Sequence, residues 1–270
     1  MRRIFICLLV VLPAIAESQA ITSVADRALT RPGARWVERR TPNADIYVLR
    51  GSGAEPKLAR IASDSERAIR ANLAWLGETN SGGRLRLFFV GSREEMRPFT
   101  GTRSSGWSIV AEGTAFFVAN DSVNPAIRHE TMHLLSWRLW GTPGGVWLSE
   151  GLATAAAGRC NAWGIDEIAA ALYRDRQLAT IAGMRRRFRT GGTQGAVHYI
   201  SAGSLVQFID RTWGRERLRH LWKSGMAGAR QSLGASSLAV EQRWRAHVSN
   251  QRPQAGWPSI ARQIERTGCE

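Results

Sequence analysis

Apolar and polar residues follow two different periods along this chain, and the change of period divides it in two. Up to about residue 122 the short alternating or continuous apolar runs predict strands. Two of these, Arg35 to Glu38 and Asp45 to Leu49, flank a Thr-Pro-Asn turn. An amphipathic helix over Pro56 to Leu76 follows, with Leu58, Ile61, Ala68, Ile69 and Leu73 at roughly helical spacing and Gly77 as its stop. Leu85 to Val90, Ser108 to Ala111 and Thr114 to Val118 read as further strands, the last two separated by Glu112-Gly113. Beyond residue 122 the period becomes helical. Asn124 and Pro125 suit the cap and first turn of a helix that runs to Trp140 and stops at Gly141. Later helices are expected over Val146 to Ala157, Asp166 to Gln177, Ala196 to Thr212, Arg215 to Lys223 and Ser237 to Val248. The pattern therefore predicts an α+β fold, with a small mixed layer over about 33–122, a helical part over about 123–250 and a tail over 251–270.

The N-terminus stands outside this fold. Arg2 and Arg3 precede an apolar stretch from Ile4 to Ala16, followed by small residues suited to cleavage at Ala16 or Ala20. That layout is a secretory signal peptide, and it predicts a periplasmic or secreted chain. No later stretch approaches the roughly 20 apolar residues of a membrane span. Past the signal two cysteines remain, Cys160 and Cys269, compatible in an exported protein with a disulfide or with two free thiols.

The net charge of +15 invites a nucleic-acid or membrane reading. Its distribution argues otherwise. Lys57 and Lys223 are the only lysines, the arginines are scattered, and the one dense run, Arg185-Arg186-Arg187-Phe188-Arg189, reads as a solvated face. Loose association with anionic envelope polymers is compatible with this charge, whereas no motif for specific nucleic-acid recognition is present.

The chemistry concentrates at His129-Glu130-Thr131-Met132-His133. Residues four apart on a helix share one face at about 5–6 Å, so the two imidazoles can take adjacent corners of a zinc tetrahedron. Glu130 is offset by one residue and suits a general base acting on the metal-bound water. A catalytic zinc takes three protein ligands and keeps a fourth position open. Ser136 and Leu139 stand where a metzincin would carry Gly and His, which excludes that class. Glu150 is the one acidic residue between Glu130 and Asp166, and it stands among apolar residues where an unpartnered carboxylate is costly. Helices carrying His129 and His133 on one side and Glu150 on the other would bring together three ligands for one zinc ion per chain.

His129 to His133, followed by Trp147-Leu148-Ser149-Glu150-Gly151-Leu152-Ala153, resembles the gluzincin peptidases, in particular the peptidase MA-like group of exported bacterial proteins. The likeness extends in outline to Tyr199-Ile200-Ser201-Ala202-Gly203 and to the Gly234 to Trp244 stretch. It implies a zincin-like fold over 21–270, a cleft between the two parts, and zinc held by His129, His133 and Glu150 with Glu130 as base. Such enzymes commonly place a Tyr or His opposite the metal as oxyanion donor. Of the three tyrosines, Tyr199 fits that role, with His198 as the alternative. Thr154 is a candidate to orient a ligand. The strand Thr114 to Val118 is expected to offer an edge to an extended substrate. Aminopeptidases of the class carry Gly-x-Met-Glu-Asn, of which Ala111-Glu112-Gly113 is a faint echo. The expectation is thus an exported zinc endopeptidase or processing enzyme acting on a peptide or protein. The alternative is a non-catalytic zinc protein of the envelope that binds peptides or anionic polymers.

Overall fold

The computed structural model describes residues 23–160, 163–188 and 192–252. The expected signal peptide, Arg189 of the basic run and Cys269 lie outside these residues.

The architecture is α+β, built on a five-stranded mixed sheet of order β1-β2-β3-β5-β4. A first helix, α1 (Val24–Thr30), precedes the hairpin β1 (Trp36–Arg40) and β2 (Ala44–Leu49). Helix α2 (Leu58–Leu76) crosses over to β3 (Leu85–Val90), α3 (Arg93–Thr100) follows, and β4 (Gly106–Ile109) turns back into β5 (Thr114–Val118). Strands β2, β3 and β5 are parallel, and β1 and β4 run antiparallel at the two edges. The central strands Leu85-Arg86-Leu87-Phe88-Phe89-Val90 and Thr114-Ala115-Phe116-Phe117-Val118 are covered on both faces, which explains their nearly unbroken apolar runs. One face sends Ile46, Leu87, Phe89 and Phe117 into the main core. The other packs Phe88, Val90, Phe116 and Val118 with Met96 and Ala25 from α3 and α1. Phe88 stacks on Phe116 and Phe89 on Phe117, each pair at 4.7 Å between centroids.

The helical part begins with α4 (Ile127–Trp140) and α5 (Val146–Ala157). A two-residue ribbon, β6 (Arg159–Cys160) with β7 (Trp163–Gly164), leads to α6 (Ile165–Arg174), α7 (Ile181–Arg186), α8 (Gly192–Trp213), α9 (Arg215–Ser224), α10 (Ala229–Leu233) and α11 (Ser237–Ser249). Among the described residues no helix is long and apolar enough to cross a membrane.

Buried polar contacts fix α4 against α2. Asn72, fully buried on α2, donates through Nδ2 to the Arg128 carbonyl at 2.8 Å and to Thr131 Oγ1 at 3.0 Å. The loop between α4 and α5 is tied to α9, because Trp222 Nε1 donates to the Gly141 carbonyl at 2.8 Å and Gly144 N donates to the Trp222 carbonyl at 2.6 Å. On the far side Asp166 gathers Ser204 (2.8 Å), Arg211 and His247 (3.4 Å), and Trp244 Nε1 donates to Ser204 Oγ at 3.1 Å. This network joins α6, α8 and α11, and it places His247 in a structural role.

Several boundaries differ from expectation. Helix α4 starts at Ile127 with Ala126 at its N-cap, so Asn124 and Pro125 lie in the preceding loop. The side chain of Asn120 accepts from the amides of Ser122 and Val123 and turns the chain before Asn124 is reached. Helix α6 ends at Arg174 because Arg176 takes a left-handed φ of 58°. Helix α8 begins four residues before Ala196. Helix α3 was not expected; Ser92 caps it by accepting from Glu95 N, and Pro98 stands inside it. Cys160 is disulfide-bonded, so the alternative of two free thiols is excluded for it. Arg185, Arg186 and Arg187 are exposed, in keeping with a solvated basic face.

Helices α5 and α8 cross closely, and glycines from both helices make the approach possible. A Cβ at Gly151 would lie 2.8 Å from the Ala202 carbonyl oxygen and 2.9 Å from Val206 Cγ2, and one at Gly203 would lie 2.6 Å from Thr154 Cγ2. Gly151→Ala is therefore expected to force the helices apart and cost about 1–3 kcal/mol of stability, read as a lower urea midpoint at unchanged m-value.

Candidate metal centre

Helix α4 carries His129, Glu130 and His133 past the end of β4, and α5 returns Glu150 alongside it. The chain stops α4 at Gly141 and restarts as α5 after Gly145, with Pro143 and Gly144 in the loop. The helix pair then faces its polar residues toward one another across an otherwise apolar contact. His129 Nε2 and His133 Nε2 lie 3.2 Å apart, and Glu150 Oε2 lies 3.4 Å from the first and 3.3 Å from the second. His133 is buried, and His129 and Glu150 are largely so.

The electrostatics of this triangle are unusual for a protein interior. Burial alone would push the Glu150 carboxyl up, but the charge of the adjacent His133 and His129 imidazoles outweighs it and holds the group far below the usual carboxylate range. Burial likewise disfavours the charged form of His133, and the Glu150 and Glu130 carboxylates outweigh it and raise its affinity for a proton. Glu150 Oε2 is sealed from solvent with no conventional hydrogen-bond partner among the described residues. The centre therefore calls for a positive charge at the point where two imidazole nitrogens and one carboxylate oxygen meet.

A metal cation fits that demand in charge and in distance. A tetrahedral ion bound to nitrogen and oxygen at about 2.0–2.1 Å sets neighbouring ligand atoms about 3.3–3.4 Å apart. The three edges here are 3.2, 3.3 and 3.4 Å. Among the described residues His129, His133 and Glu150 are the one group of this kind. Three protein ligands leave a fourth corner open.

The neighbours of the triad define what surrounds that corner. Ser149 Oγ lies 3.0 Å from His133 Nδ1, which allows the ring N–H to be fixed there and leaves Nε2 free as a ligand. Glu130 is turned toward β4, where the Ser108 hydroxyl donates to its Oε2 and approaches its main-chain oxygen at 3.3 Å. A Cβ at Gly106 would lie 2.5 Å from Glu130 Oε1, so a larger residue there would displace the Glu130 carboxylate from its present position. From α8, the Tyr199 ring sits 6.0 Å from the His129 ring, tilted by 60°. Burial, then the charges of Glu150 and Glu130, push the Tyr199 hydroxyl far above the ordinary tyrosine value, which keeps it a protonated donor.

Three expected residues thus meet as a group that could hold a metal ion, His129, His133 and Glu150, with Glu130 on the same helix and Tyr199 against the His129 ring. Thr154 packs its methyl group against Gly203 on α8, and His198 and Tyr199 both meet the Phe188 ring, at 5.3 and 5.4 Å. Tyr47 stacks on Phe88 in the sheet and Tyr173 is exposed on α6. Glu112 is occupied elsewhere, accepting from Val24 N at 2.9 and 3.0 Å at the start of α1. Strand β5 is not an edge, since the β4–β5 hairpin folds back and puts β4 outermost, beside Glu130. Ser149, Ser108 and Gly106 were not singled out from the sequence. Ser149 adjoins Glu150 and its position alone was a signal; Ser108 and Gly106 meet Glu130 only through tertiary packing. The chain matches no family model and no curated protein.

Ser149→Ala is expected to leave the fold intact and to weaken binding of a divalent ion about 10–100-fold, measured by competition with a chromophoric chelator.

Proposed function

We propose that the protein is a zinc-dependent peptidase of gluzincin type, exported to the periplasm or exterior, that hydrolyses internal bonds of a peptide or protein. The observation that carries this reading is the nearly equilateral triangle of His129, His133 and Glu150, with a further carboxylate, Glu130, on the same helix, outside that group and held by Ser108. A purely structural site would close its fourth corner with a protein ligand and would need no such carboxylate.

Zinc, when bound, supplies Lewis-acid polarisation of a carbonyl and acidifies water. The chain's own residues do the rest. Glu130, tethered at Oε2 by Ser108, takes the proton of the attacking water on its carboxylate and delivers it to the leaving amine. Tyr199 keeps its hydroxyl proton and offers it to the developing oxyanion. Strand β4 is the outermost strand of the described sheet on the side of Glu130, where an extended peptide can add as a further strand. Because Glu112 caps α1 and is unavailable to a substrate amine, internal cleavage is favoured over aminopeptidase action.

Metal analysis of the purified mature chain is the test. About one zinc per chain is expected in wild type and a large loss in Glu150→Ala; absence of zinc after reconstitution would overturn the proposal. Glu130→Gln should retain zinc and lose about 10²–10⁴-fold in kcat on a peptide library. Retained turnover in that variant would exclude Glu130 as base, and a zinc-loaded wild type without turnover would favour the binding-protein alternative. Tyr199→Phe should lower kcat by about 10²–10³-fold with little change in KM, measured on the same substrate.

A further inference from the structure

A second feature lies on the other side of α4. A cavity of about 540 Å³ opens between α2 and the segment 119–128, and none of His129, Glu130, His133 or Glu150 lines it. Its floor is apolar, from residues such as Ile61, Ala68 and Ile127. Its walls carry four cations, Lys57, Arg60, Arg67 and Arg128, against one acid, Asp64. Asp64 already serves two of them, Arg60 at 3.4 Å and Arg67. Lys57 turns to Asp121, an exposed residue that does not line the cavity, at 2.7 Å.

Arg128 is the informative residue. It is half-buried, and among the described residues no carboxylate lies within ion-pair reach of it. Among the described residues its side chain hydrogen-bonds from Nε to Asn72 Oδ1 at 3.3 Å, and neither Nη group meets an acceptor there. A partly desolvated cation without an anion is costly, and the packing of α2 on α4 holds it there. The same wall contains the start of α4, a helix of 14 residues whose N-cap, Ala126, supplies no side-chain cap, so its positive end adds to the field. The volume falls within the roughly 300–1,000 Å³ of small-molecule sites.

We propose that this cavity is a binding site for a small organic oxyanion, a phosphate or carboxylate on a compact apolar body. Its oxygens face the Arg128 fork, with Arg67 and Arg60 at the rim and the body on the Ile61 and Ala68 floor. Paired oxygens on one centre match the parallel N–H groups of a guanidinium, which is why the fork rather than Lys57 is assigned the primary contact.

Calorimetric titration of the metal-loaded mature chain with inorganic phosphate, phenyl phosphate and benzoate, at constant ionic strength in chloride, tests this. Saturable one-to-one binding of phenyl phosphate or benzoate is expected, with phenyl phosphate tighter than inorganic phosphate if the floor is engaged; which aromatic anion binds better identifies the headgroup. Arg128→Gln and Arg67→Gln should each weaken it, the former by about tenfold or more. Ala71→Trp fills the cavity from α2 without altering charge and should abolish binding even if Arg128→Gln does not fold. Arg185→Gln/Arg186→Gln, on the exposed basic run, should change nothing. Absence of saturable binding by all three probes, binding that survives Ala71→Trp, or equal loss in the Arg185/Arg186 variant would each overturn the assignment.

Discussion

Glu150 is an ionised carboxylate on a helix whose neighbouring positions are almost all apolar, and the structure around it is organised by the need to balance that charge. Water cannot do so, because Oε2 is sealed from solvent. Two imidazoles from α4 meet it instead, at 3.3 and 3.4 Å. Their nitrogens also face one another at 3.2 Å, an approach that neutral imidazoles tolerate poorly without a cation or a shared proton between them. Protons on the histidines or a metal ion can supply the missing charge, and the edge lengths match the second. Placement of α5 relative to α4 is thus an electrostatic as well as an apolar matter.

Holding three groups to such tolerances requires rigid support. Asn72 pins the first turn of α4 to α2, and Trp222 ties down the loop that reverses the chain into α5. On the opposite side of α5, the Gly151–Gly203 crossing brings α8 in so closely that Tyr199 reaches the His129 ring. The β4–β5 hairpin completes the surroundings by setting Ser108 against Glu130. Each element contributes one or two groups, and none of the contributing segments is a long loop. That is the arrangement expected where geometry must be held before a ligand arrives.

The two faces of α4 divide the labour. The face toward α5 and β4 gathers the carboxyl groups of Glu150 and Glu130 around two imidazoles, and the edge toward α2 and the 119–128 segment gathers four cations around one acid. Arg128 and His129 are adjacent in the chain, yet they serve opposite sides because successive residues on a helix diverge by about 100°. The proposed peptidase and the proposed oxyanion site are therefore independent in their ligands while sharing the first turn of one helix.

The sequence by itself determined the α+β class, most of the principal elements, and the three residues, His129, His133 and Glu150, that the structure brings together. These are local matters: periodicity reports which face of an element is buried, and the HExxH spacing places two imidazoles on one helix turn whatever surrounds it. Glu150 was legible for a related reason, since an isolated carboxylate in an apolar run has few explanations. Tertiary structure decided which strand is the edge, because a hairpin can fold its first strand to either side of the sheet and only packing against α4 chooses β4. It likewise brought Tyr199 against the His129 ring, since the α5–α8 crossing sets which side of α8 faces the triad. Ser108, Gly106 and the cavity beside Arg128 were illegible for the same reason. Each acquires its role only from residues distant in the chain, and no local pattern carries that information.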